Sequence, residues 1–175
     1  MATNISRRDL LSGQKLTAGP AFRPPWALAE QAFAGLCTAC GECVKHCEEG
    51  ILTAPAAGLP NVDFTRGECT FCGACAAACP TGALDNKARR AGAPAWQLRA
   101  LIGEACLAGA NIVCRVCGER CDARAIHFPA AIGGTARPTL DPRACTGCGA
   151  CVAPCPAGAI NLVDPAATPA TATPS

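Results

Sequence analysis

The chain has 175 residues, a formal net charge of +2 and a hydrophobic share of 50%. That share overstates the core, because it contains 38 alanines and 16 cysteines against 5 Phe, 2 Trp and no Tyr, so side chains that bury much apolar area are scarce. A chain of this length forms one domain or two small ones, and small domains short of core rely on metals or disulfides. No run approaches the roughly 18 apolar residues of a membrane-spanning helix, so no membrane span is expected.

Residues 1–33 read as an N-terminal segment outside the cysteine-bearing body. They carry "SRRDLL" at 6–11, a string like the twin-arginine export signature. An apolar run of about 7–15 residues should follow such a signal, but the chain continues "SGQKLTAGPAFRPPWALAEQ", broken by Gly, Pro and charge. Export is therefore not expected, and the expected location is cytoplasmic. Arg7 and Arg8 read as a solvated basic tail or as a segment recognised by a partner. Disulfides need an oxidising compartment, which leaves the cysteines for metal.

The first cysteine group is Cys37, Cys40, Cys43 and Cys47; the second is Cys69, Cys72, Cys75 and Cys79; the last is Cys145, Cys148, Cys151 and Cys155. All three are written C-x2-C-x2-C-x3-C. Zinc knuckles pair two short Cys turns across a longer loop, whereas this triplet with a fourth following is the bacterial ferredoxin run that holds [4Fe–4S] clusters. The spacing has a physical reason. A cubane offers four iron corners, and three cysteines spaced by two residues lie on one loop that reaches three of them. The fourth, starting or riding a short helix, points away and ligates the other cluster of a pair. Pro80 and Pro156 follow the fourth cysteine and remove a backbone donor, which stops the helical turn. Glu48 and Asp122 stand at that place after Cys47 and Cys121, where the helix simply ends differently.

Short apolar strands are expected after each fourth cysteine, at "EEGIL", "PTGAL", "DARAI" and "PAGAI", and before the triplets at "NVDF" and "PTL". The unit is thus strand, cluster loop, short helix, strand. Two such units with pseudo-twofold symmetry make a small ferredoxin-like domain. The expected fold class is α+β, with tandem bacterial-type (two-cluster) ferredoxin-like domains of short strands and helices.

The third group departs from the pattern, with Cys106 followed by Cys114, Cys117 and Cys121 as C-x7-C-x2-C-x3-C. "WQLRALI" upstream alternates like a strand entering a cluster loop, and "DARAIHF" closes the unit as in the others. Cys106 therefore stands where a first ligand belongs, with five extra residues before the second. Closing a loop longer by five residues costs on the order of 1 kcal/mol or less, and Gly109 and Asn111 suit a turn within it. On this reading a fourth cluster is expected. The alternative makes Cys106 a small buried hydrophobe and leaves a three-cysteine site holding a [3Fe–4S] cluster or nothing.

The gaps between groups hold 21 residues from Cys47 to Cys69, 23 from Cys121 to Cys145, and 26 from Cys79 to Cys106. Groups one and two pair most naturally, as do three and four. Domain one is expected over 34–86, a basic linker over 87–94, domain two over 95–164 and a disordered tail over 165–175. The rival arrangement nests group one with four and two with three.

No nucleophile–base constellation, Gly-x-Gly-x-x-Gly or P-loop string is present, so no enzymatic activity is expected. His46 and His127 are single residues, better suited to solvent or to supporting a ligand than to ligation. An oxidised cluster with four thiolates carries about −2, so four would take the net charge to about −6, which gives nucleic-acid binding little support. Arg7, Arg8, Lys87, Arg89 and Arg90 then stand as local basic patches, suited to an acidic partner surface or to a solvated linker.

The "SRRDLL" string, "RPPW" at 23–26, the four cysteine groups and the long gap of the third together resemble the NapF family, the ferredoxin-type proteins of periplasmic nitrate reductase systems. The likeness runs from about Ser6 to Leu162. It implies a cytoplasmic protein that acts on the precursor of the molybdenum-containing nitrate reductase catalytic subunit before its twin-arginine export. It also implies three clusters on the regular runs, against the four of the spacing argument. A plain electron carrier serving other redox proteins is the second expectation. Anaerobically reconstituted protein should approach about sixteen iron per chain if four cubanes are held; about twelve, unchanged by Cys106→Ala, would return the third group to a buried hydrophobe.

Overall fold

The computed structural model describes residues 22–55, 58–131 and 134–165. The "SRRDLL" string and residues 166–175 of the expected tail lie outside them. The elements are short because the cysteine loops occupy most of the chain. Helix α1 (Glu30–Leu36) precedes the first loop, α2 (Glu42–Lys45) lies within it, and β1 (Leu52–Thr53) and β2 (Asn61–Val62) form an antiparallel pair. Helices α3 (Ala74–Ala77) and α4 (Asn86–Arg90) follow. The second half holds β3 (Arg99–Ile102), a 3-10 turn (Leu107–Ala110), α5 (Val116–Glu119), β4 (Ile126–His127), β5 (Thr139–Leu140) and β6 (Ile160–Val163).

Strands form where the alternation places them. β3 pairs antiparallel with β6, from Arg99 opposite Val163 to Ile102 opposite Ile160, and β4 pairs with β5. In the first half "PTGAL" supplies a single bridge, Leu84 to Ala27, in place of a full strand. Its partner lies in residues 22–28, where Phe22 also bridges Val62. Each half therefore closes with one β-pair between its two cysteine loops and one contact between its ends.

Three local features differ from the sequence expectation. The short helices α2, α3 and α5 carry the third cysteines Cys43, Cys75 and Cys117 and end before the fourth. Each is one turn, too short to persist without tertiary packing, and the last group has only turns over 150–154. The second difference is the strap at 22–33, which is integral to the first half. Arg23 grips Glu30 through Nη2 to Oε1 at 2.6 Å and Nε to Oε2 at 2.9 Å, and donates to Asn61 Oδ1 at 2.7 Å. Phe33, 1% exposed, plugs the helix into the core, and Arg23 lies over its ring. Third, the basic stretch is not an open linker. The Asp85 carboxylate caps α4 by accepting from Lys87 N–H and Ala88 N–H at 2.9 Å each, and such a cap stabilises by about 1 kcal/mol. The Trp26 main-chain N–H donates to Ala95 O at 2.8 Å and its indole N–H to Ala93 O at 2.9 Å, which ties the end of the stretch to the strap.

The core is one contiguous cluster drawn from both halves, including Trp26, Phe33, Ile51, Phe64, Leu84, Leu98, Ile126, Ile160 and Leu162 with Cys43, Cys75 and Cys151. Trp96 joins the halves: it stands edge-on to Phe64 at 5.7 Å and to Phe71 at 5.8 Å, and its indole N–H donates to Thr146 O at 3.2 Å. Cys69 N–H donates to Cys148 O at 2.8 Å across the same seam. Among the described residues no helix is long and apolar enough to cross a membrane.

Gly149 tests the seam. Its φ is +85°, and a Cβ there would run into the Phe64 ring, with Cε1 at 2.7 Å and Cγ at 2.8 Å. Overpacking and a left-handed backbone together predict a loss of about 2–4 kcal/mol for Gly149→Ala. Gly41→Ala, at φ +77° with open space around it, should lose only about 1 kcal/mol. Denaturant unfolding of the two loaded variants measures the difference.

Candidate functional site

The sixteen cysteines are all free of disulfides, and they line four pockets in sets of four. Cys37, Cys40 and Cys43 share a pocket with Cys79, walled by Phe33, Pro60 and Leu84. Cys69, Cys72 and Cys75 share one with Cys47, against Trp26, Ile51 and Leu52. Cys145, Cys148 and Cys151 face Cys121 among Ala100, Ile126, Leu140 and Leu162. Cys106, Cys114 and Cys117 face Cys155 among Ile102, Leu107 and Ile160. In every case the fourth cysteine of a group leaves its own loop for the pocket of the neighbouring group. Groups one and two exchange in this way, and groups three and four do the same; the nested arrangement is not the one adopted.

The irregular group makes a pocket like the others. Its open volume is about 360 Å³, beside about 410, 360 and 330 Å³ for the first, second and last groups. The five extra residues are taken up by the 3-10 turn, which starts directly after Cys106 and ends on Asn111 at φ +61°. Arg137 Nη2 donates to Gly109 O at 3.1 Å and pins the insert to the preceding loop of β5. Cys106 is only half-buried and lines the pocket together with Cys114 and Cys117.

Electrostatics report how closely the cysteines of each half approach one another, across the two pockets of a pair as well as within one. Burial pushes the Cys43 thiol up to about 11, with Cys37, Cys40 and Cys79 adding to the rise against a lowering contact from the Val44 amide. Burial takes Cys69 to about 12 and Cys75 to about 11, and Cys47 adds to both. Cys151 reaches about 12 through burial, with Cys148, Cys145 and Cys117 adding. Cys117 is raised by burial and by Cys106 and Cys114. Cys79 goes the other way: burial raises it, but hydrogen bonds from the Leu84, Thr81 and Gly82 backbone and the Thr81 hydroxyl bring it below the ordinary thiol value. Buried thiols this crowded hold their protons in water, and metal is what would displace them.

The donor set fits an iron–sulfur cluster. Each pocket offers four sulfurs and a mainly apolar wall. Among the described residues no group of three or more His, Cys, Asp or Glu is placed to hold a metal ion, while the four cysteines of each set line one common pocket, and a cubane takes one thiolate per iron. Ala125 N–H donates to Cys121 Sγ and Ala159 N–H to Cys155 Sγ, both at 3.3 Å. Such bonds stabilise thiolate charge and help to set cluster potentials. His46 is exposed beside Cys47, its Nδ1 2.9 Å from Glu42 O, and His127 is exposed on β4. The sequence reading missed Trp26 and Phe33 as walls of the first two pockets. Two lone large residues in an alanine-rich stretch were the available signal.

The family model described as a 4Fe-4S dicluster domain matches twice, at residues 36–83 and 112–159. The chain is 42% identical over 161 residues to the "Ferredoxin-type protein NapF" of Escherichia coli (strain K12), covering 92% of this chain and 96% of the relative. It is 40% identical over 171 residues to the protein of that description from Haemophilus influenzae, covering 92% and 95%. The "Methylamine utilization ferredoxin-type protein MauM" of Paracoccus denitrificans is 38% identical over 160 residues, covering 81% of this chain and 71% of the relative. With four cysteine pockets in two exchanging pairs, two dicluster matches and relatives alike over nearly its whole length, the chain belongs to the NapF-type ferredoxins, a family of [4Fe–4S] proteins.

Proposed function

We propose that all four quartets hold a [4Fe–4S] cluster, and that the protein is a cytoplasmic accessory to the catalytic subunit of periplasmic nitrate reductase, acting on its precursor before export. The observation that carries the fourth cluster is the pocket shared by Cys106, Cys114, Cys117 and Cys155, which has the donor set of the regular ones and an open volume within their range. The two dicluster units span 34–86, extended by the strap at 22–33, and 95–164. A bound cluster supplies reversible one-electron chemistry. The chain's own part is to present four thiolates, keep water away with Phe33, Trp26, Leu140 and Ile160, and steady the sulfurs with backbone N–H groups. Such a protein carries electrons or helps another centre form, and needs no catalytic side chain of its own.

The accessory role is supported by the likeness to NapF proteins, together with the "SRRDLL" string and the strap that follows it. In the basic stretch Lys87 and Arg90 are exposed while Arg89 is half-buried, so an acidic partner would meet the first two. The test is an anaerobic pull-down with the tagged protein. Recovery of the signal-bearing precursor is expected, weakened several-fold by Lys87→Glu with Arg90→Glu; recovery of only the mature form would overturn the accessory role.

A plain relay is favoured by one observation, the Cys69–Cys148 hydrogen bond that sets the second and last cysteine loops side by side. A deletion strain separates the readings. Reductase that lacks its own cofactors supports the accessory role, and fully loaded but idle reductase supports the relay.

Thiol burial adds a pH dependence. The folded values of Cys43, Cys69, Cys75 and Cys151, about 11 to 12, lie above the ordinary 9. A raised acid stabilises the metal-free fold below the unfolded value and loses that contribution as pH climbs through 9 towards 12. Loaded protein has no such protons to lose. Circular dichroism melts should show the gap between loaded and metal-free protein widening from pH 8 to pH 10; parallel losses would contradict the assignment.

A further inference from the structure

Arg89 stands within 87–94, the stretch expected to be a basic linker. It sits in α4, which Asp85 caps, and its Nε donates to Asn86 Oδ1 at 2.8 Å. From there the side chain folds back over Gly73. A Cβ at Gly73 would lie 2.7 Å from Arg89 Nε and 2.8 Å from Nη1, with Cδ closer still. Gly73 is buried, lies between Cys72 and Cys75, and lines the pocket of the second quartet. The guanidinium is therefore laid along the loop that bears three of that quartet's sulfurs, between Cys72 and Cys75. Glu48 and Glu49, the acidic groups on the same pocket, are both exposed.

The same position in the other loops is filled differently. Gly41, between Cys40 and Cys43, has nothing within 4 Å of its would-be Cβ, and Gly149, between Cys148 and Cys151, faces the Phe64 ring. In the third loop the position is Arg115, whose guanidinium is turned onto the Phe128 ring at 5.4 Å. Among these positions only Gly73 has a cation from another element lying against it. The arrangement needs the glycine, since any side chain there would drive Arg89 away.

We propose that Arg89 tunes the second quartet's cluster, holding its reduction potential above the value its thiolates and loop would otherwise give. This rests on the reading that Cys47, Cys69, Cys72 and Cys75 hold a [4Fe–4S] cluster. One-electron reduction takes a cluster with four thiolates from about −2 to about −3. A fixed cation stabilises the more negative state more, and its half-buried position limits screening by salt. Arg89 is a positioning residue for charge: it need not touch the cluster to act.

The test is a potentiometric titration of the full-length, anaerobically loaded protein, followed by electron paramagnetic resonance with dithionite as the electron source. Arg89→Gln should move one component to lower potential, by about a tenfold fall in its reduced-to-oxidised ratio at the original midpoint, which is about 59 mV for one electron. Arg89→Lys should restore most of the value, and Gly73→Ala should mimic Arg89→Gln. The shifting component should be the one missing from Cys72→Ser. Unmoved midpoints in Arg89→Gln at normal iron content would overturn the tuning role alone. If Cys72→Ser left iron content and every resonance component unchanged, the second quartet would hold no cluster and the proposal would fall with that reading.

Discussion

The structure depends on an exchange. Each cysteine loop supplies three sulfurs to its own pocket and sends the fourth to its neighbour, so Cys47 and Cys79 cross between the first two pockets and Cys121 and Cys155 between the other two. Neither loop of a pair is complete alone. In a chain with five phenylalanines and no tyrosine, this crossing does what a large apolar core does elsewhere. It fixes two distant stretches of backbone in register with each other. Strands of two to four residues and one-turn helices are enough because they only have to aim the loops. The few large side chains sit where the loops leave gaps, with Phe33 behind the first pocket and Trp26 behind the second.

A second layer of organisation joins the two pairs. Trp96, Phe64 and Phe71 form the aromatic seam, Gly149 lets Phe64 approach, and one backbone hydrogen bond runs from Cys69 to Cys148. The inner pockets of the two halves, the second and the last, meet there. Ile112 and Val113, in the insert of the third group, are exposed.

Much of this was legible in the sequence, and for identifiable reasons. Cysteine spacing is set by cluster geometry, so the ligand loops and the strands flanking them stood out, down to "PTL" as β5 and "WQLRALI" around β3. The insert of the third group was readable because Asn111 is one of the few residues that turn left-handed easily. What was not legible depends on contacts distant in sequence. Nothing in "RPPW" says that Arg23 will reach Glu30 and Asn61, or that the Trp26 amide will close on Ala95. The stretch "NKARR" reads as an open linker because its helix is fixed by a single cap at Asp85 and by packing on α3. Spacing alone sends each fourth cysteine to another group's pocket but leaves open which group that is, since the pairing of loops rests on contacts distant in sequence.

The exchange also dictates an order of events during synthesis. When the ribosome has released Cys37, Cys40 and Cys43, the first pocket still lacks its last sulfur. That sulfur arrives with Cys79, by which time the whole second loop has emerged as well. The nascent chain therefore has no complete binding place to offer until a pair of loops is out, and then it offers two at once. The same holds for Cys106 and Cys155 in the second half. Whatever delivers iron and sulfide to this protein must wait for whole halves, and a chain truncated inside either one would be left with open thiols on both of its loops.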